Sequence, residues 1–138
     1  MQLINRFSRY VVLCFTASFL LYGCGESKIS QCNKIVSVAN KAKELAVPKE
    51  MAGLVTSAEE IEKIRVEVQA IAVQDPKLKE LQADMIGMYG DVSVAMQAQV
   101  KATEAKDANA QKKAKEDLDA AVSRESSVVD TVNALCSK

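Results

Sequence analysis

Residues 75–99 read DPKLKELQADMIGMYGDVSVAMQAQ, and this stretch determines the fold class. Its apolar positions recur in steps of three and four residues, which is the period of one face of a packed helix. Asp75 and Pro76 are favoured as an N-cap and a first-turn residue, so the helix should begin there. A helix with such a seam needs partner helices, and the sequence therefore predicts an all-α bundle. The seam comprises Leu78, Leu81, Met85, Met88, Val92, Ala95 and Gln99.

Another helix is predicted upstream, from about Ser27 to Val47, because its apolar residues fall largely at helical spacing. Pro48 should end that helix, since the residue before a proline is pushed out of the helical region. Residues 49–56, which include Gly53, are predicted to form a loop.

The next helix is predicted to begin at Ser57, which forms a capping-box pattern with Glu60. It should end near Val73, just before the Asp75-Pro76 pair. The alternative is one long middle helix that is kinked at Pro76, because proline also occurs at kinks. The predicted apolar face contains Ile61, Ile64, Val68 and Ile71.

The last helix should follow a tight turn near residues 107–109 and end at Cys136. The predicted architecture is therefore an up-down bundle of four helices, or of three with a long kinked middle helix. In the four-helix version the first and last helices have their outer ends on the same side. The apolar positions of the last helix are Ala114, Leu118, Ala121, Val128, Val132 and Leu135.

Two glycines, Gly87 and Gly90, flank Tyr89 within the 75–99 helix. Each costs about 1 kcal/mol relative to alanine in a helix interior, so their presence needs a reason. One interpretation is close approach of a neighbouring helix backbone, or a local break. The other is a bend that opens a small ligand pocket beside Tyr89.

The N-terminal segment has the composition of an export signal. Arg6 and Arg9 are its only charges, and an apolar run extends from Val11 to Tyr22. A transmembrane anchor is the alternative, but a dozen helical residues span only ~18 Å of a ~30 Å hydrocarbon core. The sequence therefore predicts a cleaved signal peptide at residues 1–23.

The residues that end this run, Leu21-Tyr22-Gly23-Cys24, resemble the lipobox of bacterial lipoproteins. Tyr22 departs from that pattern, which usually has a small residue there. The resemblance implies cleavage before Cys24 and attachment of diacylglycerol to its thiol, with fatty acyl chains such as palmitate holding the protein on a membrane. The alternative is an ordinary cysteine beside a conventional cleavage site. Gly25, in place of Asp, resembles the sorting signal for the outer membrane.

The predicted domains are a signal peptide (1–23), a lipidated cysteine with a short polar tether (24–30) and a helical domain (31–138). The whole chain has 18 basic and 18 acidic residues and no histidine. Without residues 1–23 the balance is 16 to 18, which does not draw nucleic acid by charge. The lack of histidine removes the commonest general base and transition-metal ligand.

Two of the four cysteines remain once Cys14 leaves with the signal and Cys24 carries lipid. Cys32 and Cys136 lie near opposite ends of the domain, and an exported compartment is oxidising, so they are predicted to form a disulfide. The alternative is a pair of free buried thiols. In the up-down bundle the two cysteines would meet at the end nearest the lipid.

No constellation for catalysis, metal or cofactor binding is evident in the sequence. The acidic pairs lack the histidine companions of a di-metal bundle and are predicted to be solvated helix faces. Serines have no histidine to activate them, and no glycine-rich phosphate loop is present. We therefore predict no catalytic residue, metal or cofactor. The acidic pairs considered are Glu59 with Glu62, Glu116 with Asp119, and Asp84 with Asp91.

Residues 27–35, SKISQCNKI, resemble the start of small helical lipoproteins of cyanobacteria. The resemblance implies a lipid-anchored helical protein in the bacterial envelope and carries no activity with it. The leading hypothesis is a non-enzymatic accessory protein that contacts another envelope protein and faces the periplasm or an equivalent compartment. The second is a ligand-binding bundle with its pocket at Gly87, Tyr89 and Gly90, and the third an enzyme that uses carboxylates.

Overall fold

The structure, a computed structural model, describes residues 26–45 and 50–137. These residues form an all-helical bundle without strands. Cys24, Gly25 and Pro48 lie outside the described residues. The helices are α1 (Lys28–Lys43), α2 (Met51–Ala70), α3 (Pro76–Glu104), α4 (Ala108–Ser123) and α5 (Glu125–Cys136).

Helix α3 is the centre of the bundle, and it contacts each of the other four helices. Its 29 residues extend over ~44 Å, because a helix rises ~1.5 Å per residue. The predicted seam is buried from Leu78 to Ala95, and Leu78, Leu81 and Met85 are almost fully enclosed. The clearest sequence period therefore marks the helix around which the others pack.

The start of α3 confirms the capping prediction and the four-helix reading. The Asp75 carboxylate accepts hydrogen bonds from the backbone amides of Lys77 and Leu78, and Pro76 is the first helical residue. Helix α2 already ends at Ala70. Two helices joined by residues 71–75 replace the alternative of one helix kinked at Pro76.

Helix α1 begins next to the predicted residue, Ser27, but ends earlier than predicted. The Ser27 hydroxyl accepts a hydrogen bond from the Ser30 amide at 3.2 Å, so the helix starts at Lys28 and the polar tether does not reach Ser30. At the other end α1 stops at Lys43 rather than near Val47. Helix α1 is consequently shorter than α2 and α3.

The prediction that Ser57 caps α2 is wrong. Helix α2 starts at Met51, directly after Glu50, and Ser57 is buried inside it. Residues 51–56 of the predicted loop at 49–56 are helical, with Gly53 in the first turn of α2. Met51 and Leu54 are half-buried in this turn. Tertiary packing therefore favours a helix that starts at Met51 over one that starts at the local capping pattern of Ser57.

The predicted last helix is interrupted once, at Arg124, so that α4 and α5 together form the fourth arm of the bundle. The Arg124 guanidinium forms an ion pair with the Asp91 carboxylate of α3. Asp107 caps the start of α4 by accepting from the amides of Asn109 and Ala110, as the predicted turn requires.

A disulfide between Cys32 and Cys136 closes the bundle, with Cα atoms 5.4 Å apart. Gln31, beside it, is 2% exposed, and its side-chain oxygen accepts hydrogen bonds from the amides of Gln74 and Asp75. Both ends of the domain and the α2–α3 connection are therefore tied together at one end of the bundle. The structure confirms the predicted pairing.

Helix α3 runs without a break through Gly87 and Gly90. A Cβ atom at Gly87 would have no neighbour within 4 Å, and one at Gly90 would meet the Arg65 side chain at 3.4 Å, an ordinary contact. Neither close approach of a neighbouring backbone nor a helix break explains these glycines.

Replacing Gly87 by alanine should raise the free energy of unfolding by about 1 kcal/mol, because alanine loses less backbone entropy in a helix. Urea unfolding followed by circular dichroism measures the change. Ala83→Gly, at an exposed position of the same helix, should shift stability equally in the opposite direction. A loss of stability in Gly87→Ala would show that the glycine meets a steric need.

Candidate functional site

A cavity of about 500 Å³ opens beside Tyr89, beyond the end of α1. Ala42 and Leu45, at that end, form part of its wall. The remaining lining residues are Ser57, Ile61, Met88, Tyr89, Val92, Met96, Leu118, Asp119, Val122, Ser123 and Glu125.

The floor of the cavity is apolar and comes from α2 and α3. Ile61, Met88 and Val92 are buried, and the only buried polar side chains among the lining residues are those of Ser57 and Tyr89. An apolar recess with few polar groups is the usual composition of a small-molecule site, and its volume lies within the range of such sites.

Tyr89 supplies the aromatic surface of the cavity, and it is 6% exposed. Burial raises the pKa of Tyr89 to about 12, and the negative charge of Glu125 adds to this increase. The hydroxyl is therefore protonated at neutral pH. Within residues 26–45 and 50–137 it forms no hydrogen bond, so a ligand that enters the cavity would find it free to donate or accept.

The mouth of the cavity is acidic. Its exposed rim includes Asp119, Ser123 and Glu125, near the junction of α4 and α5. Arg124 lies at this junction, but its guanidinium binds Asp91. In the described part of the chain no Lys or Arg nitrogen lies within 4.0 Å of either carboxylate at the mouth.

Of the pocket residues proposed from sequence, Tyr89 lines the cavity, whereas Gly87 and Gly90 do not. Sequence reasoning missed the walls from α1, α2 and α4 because they depend on where each helix ends. Met88 and Val92 belong to the predicted seam and were assigned to the core. No signal in the sequence places Leu118 or Asp119 next to Tyr89.

The acidic pairs do not converge on one site. Glu62 binds Arg65, Asp91 binds Arg124, and Glu116 lies 3.8 Å from Lys112 on the solvent side of α4. Among the residues that the structure describes, no group of three Cys, Asp or Glu side chains is placed to hold a metal ion.

The stability of the domain should fall between pH 10 and 12 more steeply than in Tyr89→Phe. A tyrosine titrates near 10 when unfolded, and at about 12 in this fold. The folded state therefore holds the proton more tightly, and its extra stability is present below pH 10 and lost as the pH rises to 12. Urea midpoints at pH 8, 10 and 11 test this expectation, and parallel curves for the two proteins would contradict it.

None of the helices in residues 26–45 and 50–137 combines the length and apolar composition needed to cross a membrane. Comparison of the chain with protein-family models, with curated proteins and with solved structures finds no match.

Proposed function

We propose that this chain is a lipoprotein of the bacterial envelope, anchored through Cys24, whose helical domain acts by binding another envelope protein. The disulfide between Cys32 and Cys136 is the observation that carries this proposal. Disulfides of this kind persist in oxidising compartments, where an exported domain would lie. The bond also ties Cys136, at the last helix's end, to Cys32, which lies eight residues after Cys24.

This arrangement gives the domain a defined orientation. Because the helix begins at Lys28, only residues 25–27 separate Cys24 from the bundle. The disulfide end would then lie next to the bilayer, with the α3–α4 turn at the far end of the ~44 Å helix α3. The accessible flanks and far end would contact a protein partner, and the acidic balance argues against nucleic acid.

Growth of a bacterium expressing the full chain with an alkyne fatty acid tests the anchor. The protein should incorporate the label and sediment with membranes, and Cys24→Ser should abolish both. Cys14→Ser is the matched control and should behave as the wild type. Label on the Cys24→Ser protein would refute lipidation at this site.

Crosslinking on intact membranes followed by mass spectrometry tests the proposed partner. The same envelope protein should be recovered in repeated experiments, crosslinked to α2, α3 or α4 of the wild type. Cys24→Ser should lose that product, because the domain would leave the surface. Repeated absence of any protein neighbour would overturn the accessory role.

We further propose, as a second candidate function, that the cavity beside Tyr89 binds a small apolar molecule. The supporting observation is an apolar recess of about 500 Å³ that Tyr89, 6% exposed, borders. Among the described residues no buried side-chain oxygen lacks a hydrogen-bond partner, so the unpartnered Tyr89 hydroxyl is accessible to a ligand from the cavity.

A neutral alkyl alcohol carrying a photoreactive diazirine tests this binding. Light should attach it to the tryptic fragment of residues 80–101, which includes Met88, Tyr89 and Val92. Val92→Phe, which fills the floor, and Ala42→Leu, which narrows the wall, should reduce labelling at least fivefold. Val94→Phe, at a 67% exposed position of the same helix, should not. Labelling that neither Val92→Phe nor Ala42→Leu reduces would rule out binding of the alcohol in the cavity.

A further inference from the structure

We infer that the cavity selects ligands with a cationic head, such as an amine on an apolar body, over neutral or anionic ones. The inference rests on the ligand-binding candidate proposed above. It concerns the sign of the charge at the mouth, about which an apolar recess alone says nothing.

The charged lining residues that the structure describes are all of one sign. Among them, Asp119, in the last turns of α4, and Glu125, in the first turn of α5, are the only carboxylates, and there is no lysine or arginine. Both side chains belong to exposed residues at the rim, while the floor behind them is apolar. A ligand whose body fills the floor would therefore place its head beside two negative charges.

Arg124 does not neutralise the two carboxylates at the mouth. The residue lies between the cavity residues Ser123 and Glu125, but its guanidinium extends to Asp91 on α3. Lys112 and Lys113, on the same helix as Asp119, pair with Glu116 and Asp117. Lys115, four residues before Asp119, does not line the cavity, and no ion pair joins the two side chains. Among the described residues, no cation therefore forms an ion pair with either carboxylate of the mouth.

Tyr89 contributes a second, independent feature that suits a cation. Its ring lines the cavity and its hydroxyl lacks a hydrogen-bond partner within the described chain, so the oxygen can accept a bond from an ammonium group. The face of a tyrosine ring also attracts cations within ~6 Å. A carboxylate head would gain the same hydroxyl as a donor but would meet repulsion from Asp119 and Glu125.

Three photoreactive probes that share one ten-carbon diazirine body and carry an amine, an alcohol or a carboxylate test the selectivity. The full chain is embedded in phosphatidylcholine vesicles, whose surface has no net charge. The amine should label residues 80–101 about tenfold more than the carboxylate, with the alcohol between them, because each rim charge changes affinity by a few-fold in water.

The double variant Asp119→Asn with Glu125→Gln should remove this preference while keeping alcohol labelling. The matched control neutralises Glu80 and Glu116, two exposed carboxylates outside the cavity wall. This control should keep the preference for the amine probe. Equal labelling by the three probes in the wild type would overturn the charge inference, and so would a preference that survives in the double variant. Neither result would contradict ligand binding in the cavity. Labelling that neither Val92→Phe nor Ala42→Leu reduces would instead contradict the proposal that the cavity binds a ligand.

Discussion

Reduction of the disulfide between Cys32 and Cys136 should lower the free energy of unfolding by about 4–5 kcal/mol. The bond joins residues 104 apart, and the chain-entropy account assigns ~4.7 kcal/mol to a closed loop of ~100 residues. Domains of this size have ~5–15 kcal/mol of stability in total, so the reduced bundle should lose at least about a third of its stability and, at the low end of the range, nearly all of it.

Urea unfolding of the purified chain, with and without dithiothreitol, measures this loss through far-ultraviolet circular dichroism. The double variant Cys32→Ala with Cys136→Ala should unfold at a low urea concentration in both buffers. It keeps Cys14 and Cys24, so its insensitivity to reductant would assign the effect to this bond. Equal midpoints for oxidised and reduced wild type would show that the bond contributes nothing.

The fold could be predicted because its strongest signals are local. Asp75 with Pro76 fixes the start of α3 through backbone chemistry that needs no distant partner. The α3 seam then requires neighbours, and the cysteines near the two ends limit how the chain can return. These features led to the four-helix bundle and to the observed disulfide.

Helix ends were predicted less well because they depend on tertiary contacts. Ser57 and Glu60 do match the capping-box pattern, but α2 begins six residues before Ser57. The break at Arg124 comes with an ion pair to Asp91, on another helix and 33 residues away. Gln31 shows the same limit, since nothing local distinguishes this buried glutamine from an exposed one such as Gln69.

The candidate cavity depends on tertiary contacts that the sequence does not show. Its wall combines Ala42 and Leu45 with residues from three other helices and from the start of α5. Sequence could therefore single out Tyr89, the only aromatic residue after Tyr22, but could not supply the walls around it.

Replacing Leu81 by alanine should lower the free energy of unfolding by about 2–5 kcal/mol. The side chain is 1% exposed and lies in the part of α3 that the other helices surround, so its removal leaves a cavity that cannot easily collapse. Val94→Ala, on the same helix at 67% exposure, is the control and should change stability by less than about 0.5 kcal/mol. Similar urea midpoints for the two variants would mean that α3 does not form the centre of the bundle. Because Leu81 does not border the candidate cavity, the variant should still label residues 80–101 with the alcohol probe under conditions where it is folded. That combination separates the residue that holds the helices together from those that shape the cavity.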